Sequence, residues 1–113
     1  MSLTNAFETH TLKYLLTTGS VTRPTNWYIG LFTSDPTDTG AAGTEVAGNG
    51  YARTAVTFSV TNDVASNTAG VEFPAATGGN WGTIGWIGIM DAASSGNMII
   101  HSALTTAKAI NDG

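Results

Sequence analysis

A chain of 113 residues with a net charge of −4 is expected to fold as one domain, 1–113, around a single core. Only 11% of its residues are charged, against about 25% in an average soluble domain, and its four basic residues, Lys13, Arg23, Arg53 and Lys108, are scattered. That scatter argues against a nucleic-acid partner, which needs clustered lysine or arginine to displace counterions, and the absence of cysteine excludes disulfides and thiolate chemistry. No apolar run approaches the ~20 residues that cross a bilayer, so no membrane partner is expected. Met1–Thr11 has neither a basic start nor an apolar centre, so the chain is expected to be made in a cytoplasm without a leader.

In chain order, residues 4–18 predict a helix. Asn5 is placed to cap it, with Glu8 three residues on, and Gly19 to stop it. Phe7, Tyr14 and Leu3 fall near one face, which Leu12, Leu15 and Leu16 widen. The expectation is a helix packed on the edge or end of a β-core, with an exposed docking helix as the alternative.

From Trp27 onward the pattern changes to alternation and short apolar runs, giving strand candidates at Trp27–Thr33, Tyr51–Val60, Val64–Phe73, Gly82–Asp91 and Asn97–Leu104. Thr61-Asn62-Asp63 predicts a tight turn and Asp91–Gly96 a hairpin loop. The glycines of Gly82–Asp91 mark a bulge or a close backbone approach. Short strands separated by turns predict a mainly β fold, an antiparallel sandwich or jelly-roll-like domain with one N-terminal helix. The chain ends on the turn signal Asn111-Asp112-Gly113, so one further strand is expected, and without it an open sheet edge for a neighbouring subunit of a homo-oligomer to cover.

Between the first two strands lies segment 34–50, almost without charge from Thr39 to Gly50. A loop of that length in a small domain is commonly functional, and it is expected to be an exposed contact arm. Interaction residues are sought there and at its flanks: Asp35, Asp38, Glu45, Asn49, Tyr51 and Arg53, joined by Trp27 and Trp81, which open strands beside asparagines. The first expectation for both is a lid on the core, with a half-exposed indole that stacks on a sugar ring or anchors a protein interface as the alternative, whereas Trp86, mid-strand, belongs to the core. Asp35 and Asp38 fit turn chemistry, with an oxygen-ligated cation as the lesser reading.

Chemistry is otherwise thinly provided. His10 and His101 have no second metal ligand at helical or strand spacing, and neither a nucleophile elbow nor a phosphate-binding loop occurs. No metal, no cofactor and no enzymatic activity are expected.

The segments Tyr28–Pro36, Glu45–Arg53, Trp81–Ile84, Ile89–Ala92 and His101–Thr106, taken together, resemble a family of small tailed-bacteriophage structural proteins from about Leu3 onward. The resemblance implies a virion component, with no catalytic residues to carry over, in a family often labelled tail fibre protein and continuing past residue 113 by one more β-segment. Few charges, a β-core and a long neutral loop lead to the expectation of a capsid decoration or cement protein that binds the major capsid protein or other virion proteins and bridges capsomers. The alternative is a tail-fibre or receptor-binding component recognising host surface glycans.

Overall fold

A computed structural model describes residues 2–113. The elements are β1 (Ser2–Leu3), α1 (Asn5–Leu16), β2 (Trp27–Phe32), β3 (Thr54–Val56), β4 (Phe58–Thr61), β5 (Val64–Asn67), β6 (Gly82–Met90) and β7 (Met98–Ile110). Five strands form one antiparallel sheet in the order β1-β7-β6-β2-β3, and β4 and β5 form a separate hairpin. The mainly β, antiparallel class with one N-terminal helix is as the sequence predicts.

The centre of the sheet is the β2–β6 pair, in register from Tyr28↔Met90 to Phe32↔Trp86, and it sets glycine against glycine at Gly30↔Gly88. Each glycine makes room for what lies over it. A Cβ on Gly88 would lie 2.5 Å from Met98 Cε, and one on Gly30 would lie 3.0 Å from a Glu45 carboxylate oxygen. The irregularity expected of the β6 glycines falls at Gly85, between Ile84 and Trp86, with open space around it, whereas the groups crowding Gly88 are the side chains of Met98 and Phe32 and not another backbone.

Two hydrophobic clusters flank this centre. Phe32, Met90 and Met98 form one, with Tyr28 and Trp86 against it. Val46, Ala76, Trp81 and Ile84 form the other, with Leu31, Tyr51, Phe73, Leu104 and Ile110 packed on them. Tyr51, Phe73 and Trp81 meet ring to ring at centroid distances of 5.4–6.4 Å. The layer over the sheet is therefore made from irregular chain, residues 45–51 and 71–81, and not from a second sheet stacked face to face. The β4–β5 hairpin stands off it, with residues 59–67 all exposed.

The element boundaries differ from the prediction for identifiable reasons. The expected strand Tyr51–Val60 divides at Thr57, because Thr54–Val56 pairs with β2 while Phe58 onward pairs with β5. Val64–Phe73 ends early, at Asn67, where the amide side chain donates to Ala69 O, and Phe73 is drawn into the core. The expected Asn97–Leu104 runs on to Ile110, whose carbonyl accepts from Trp81 N–H and whose side chain joins the core. Helix α1 is capped by Thr4 rather than Asn5, since Thr4 O accepts from Phe7 and Glu8 N–H. The Thr4 hydroxyl, fully buried, donates instead to Met98 O at 2.6 Å and ties the helix start to β7.

Candidate functional site

Segment 34–50 is not a free arm. After Phe32 the chain doubles back so that Thr33 N–H donates to Thr44 O and Val46 N–H to Leu31 O, extending the sheet edge for a few residues. Pro36 and Val46 are buried, and Gly43 lies against Pro36 and the carbonyl of Ser34 so closely that a side chain would not fit. The segment is a folded cover whose outer residues, Thr39, Ala41, Ala42, Thr44 and 47–50, remain exposed.

At its end, three of the eight sequence-selected residues converge. Arg53 Nε and Nη2 donate to the two carboxylate oxygens of Glu45, both at 2.8 Å, and its Nη1 donates to Ala92 O and Ser95 O in the β6–β7 loop. The Tyr51 hydroxyl donates to Glu45 at 2.6 Å and accepts from Leu31 N–H. Burial raises the Glu45 pKa, but the hydrogen bonds from Arg53 and Tyr51 more than offset it, so the carboxyl titrates below its usual range. Burial together with the bond to Glu45 pushes Tyr51 up. The hydrogen bond to Glu45 raises Arg53. Such a bidentate, hydrogen-bonded pair locks loop to loop across the β2 end of the sheet.

A second pair joins Asn49 to Trp81. The indole N–H donates to Asn49 O, and the Asn49 amide donates to Asn80 O. Trp81 is only 6% exposed, which agrees with the core-lid reading and sets aside the half-exposed alternative: its ring is the centre of a core cluster. Trp27 keeps its half-buried place and, with Thr25, Asn26 and Thr57, borders a small groove of about 130 Å³.

Asp35 and Asp38 do not converge. Asp35 accepts from Thr37 N–H within its own turn, whereas Asp38 accepts from His101 Nε2 at 3.0 Å and from Ser2 Oγ. The bond from His101 holds the Asp38 carboxyl below its usual range. Among the described residues no three of His, Asp or Glu are grouped to hold a metal ion.

The outer face of α1 departs from the first expectation, a helix packed through its leucines, and agrees in its exposure with the alternative. Leu12, Leu15 and Leu16 are 58, 70 and 76% exposed, while Phe7 is buried. The signal was available in the helical period: at 3.6 residues per turn, Leu12 and Leu16 point about 140° and 180° away from Phe7 and cannot share its face. Beside the helix an open groove of about 610 Å³ runs between α1 and segment 17–24.

The fold and these networks describe a small β-scaffold in which the charged groups nearest the core pair with one another, a structural class of protein with its apolar helix face outward. Over residues 2–113 the chain matches the model of the family described as podophage GP4 fiber I protein gp80, and it belongs to that family of phage virion fibre proteins. No curated protein matches it.

Proposed function

We propose that the protein is a structural module of a phage tail fibre, holding its place in the virion by protein–protein contact and catalysing no reaction. The observation that carries this reading is the division of its polar and apolar groups. Glu45, Arg53 and Tyr51 satisfy one another, as do Asp38 and His101, so these groups brace the scaffold, while leucines stand exposed on α1. An exposed contiguous apolar surface on a small domain marks an interface. The family description, a fibre protein, supports a virion fibre component.

Capsid decoration is the second reading, supported by the exposed, mostly small outer residues of segment 34–50 on its folded base. Recognition of host glycans, if it belongs to this chain, falls to Trp27 and its groove, because Trp81 is enclosed. Copy number in purified particles, measured by mass spectrometry against the major capsid protein, separates the readings. A small fraction of the capsid copy number supports the fibre. A ratio near parity, or a simple fraction of it, overturns the fibre reading in favour of decoration.

A further inference from the structure

We propose that the chain self-associates head to tail, the exposed face of α1 of one copy seating in the groove between α1 and segment 17–24 of the next. The two surfaces lie on adjoining faces of the same helix and meet at Leu15. Glu8, Leu12 and Leu16 recur every four residues and form the outward row. The groove, about 610 Å³ and lined by Phe7, Tyr14, Leu15, Val21, Arg23 and Pro24, opens on the far side of Leu15. A knob and a hollow on different patches of one molecule make a heterologous contact, which closes into a ring when the rotation between copies divides a full turn.

Charge complementarity selects a second copy as the occupant. Among the described residues neither Glu8 nor Arg23 enters an ion pair, and both are exposed. Glu8 continues the leucine row and Arg23 stands at the groove, so seating the row brings the partner copy's carboxylate to the guanidinium. The wall of the groove is also incompletely satisfied, since His10 Nδ1 is buried without a hydrogen-bond partner. The proposal does not rest on the tail location: copy number tests that, and self-association of the purified chain tests this.

The experiment is sedimentation equilibrium on the full 113-residue chain at micromolar concentration, with circular dichroism to establish that each variant is folded. The wild-type chain is expected to associate, and L12E/L16E, which alters only exposed positions, to be folded and monomeric. E8R is expected to weaken association about fivefold, the effect of one rim ion pair, and R23E to do the same. The double swap E8R/R23E restores it. A monomeric wild-type chain overturns the proposal, leaving the leucine face to another virion protein. Association that survives L12E/L16E overturns it as well. Loss in E8R that R23E does not restore overturns the groove as the docking place.

Discussion

At the scale of single residues, Arg53 is the hinge of the folded cover, because one guanidinium bonds Glu45 in segment 34–50 and two carbonyls of the β6–β7 loop. Arg53→Ala leaves the half-buried Glu45 carboxylate without its main partner and is expected to cost about 2 kcal/mol in chemical denaturation. The pH dependence follows from the direction of the Glu45 shift. A carboxyl whose folded pKa lies below its unfolded value of 4.5 stabilises the fold above that value and loses the contribution as pH falls through the lower, folded pKa. The thermal midpoint is therefore expected to fall more steeply below about pH 4.5 in the wild type than in Glu45→Gln, measured by calorimetry across acid pH. Asp38 acts in the same direction, but its side chain is mostly exposed and screened by solvent, so Asp38→Asn is expected to change the curve far less. Sequence reading selected Glu45, Tyr51 and Arg53 from their places beside a loop. Their convergence was not legible, because it depends on how far the chain doubles back between Phe32 and Glu45.

At the scale of elements, β6 carries glycines with opposite consequences. Gly88→Ala drives a methyl against Met98 and Phe32, and is expected to destabilise by about 1–2 kcal/mol, whereas Gly85→Ala meets nothing and is expected to be near neutral. Denaturant midpoints of the two variants check the contrast. The β4–β5 hairpin is closed at its base by Thr68 N–H donating to Thr57 O, but it has Val60 71% and Val64 57% exposed and no layer packed on residues 59–67. A two-stranded hairpin without a packed face has little independent stability. Amide exchange, followed residue by residue, is expected to be fast in Phe58–Asn67 and slow in β2 and β6. Comparable protection in both would show that the hairpin is covered. The hairpin itself was legible, from Asn62-Asp63 between alternating residues. Its separation from β3 at Thr57 was not, because an alternating pattern says which residues share a face and nothing about where a strand changes partner.

At the scale of the whole molecule, the radius of gyration of 15.0 Å exceeds the roughly 13 Å of a compact domain this long, in keeping with extents of 50 × 29 × 25 Å. X-ray scattering from the L12E/L16E chain, expected to be monomeric, should give a value near 15.0 Å. A value near 13 Å would place the helix or the hairpin against the sheet. The sequence by itself determined the class: alternation, turn residues and an apolar segment before Gly19 sufficed for an antiparallel β domain with one N-terminal helix, because those features act locally. Its short motifs also pointed correctly to phage virion proteins. Only the tertiary structure decided that Trp81 is core and that segment 34–50 is a cover. Each of these turns on which distant segment lies opposite a residue, such as Asn49 against the Trp81 indole or Met98 against the Thr4 hydroxyl, and burial is a property of that pairing rather than of the residue.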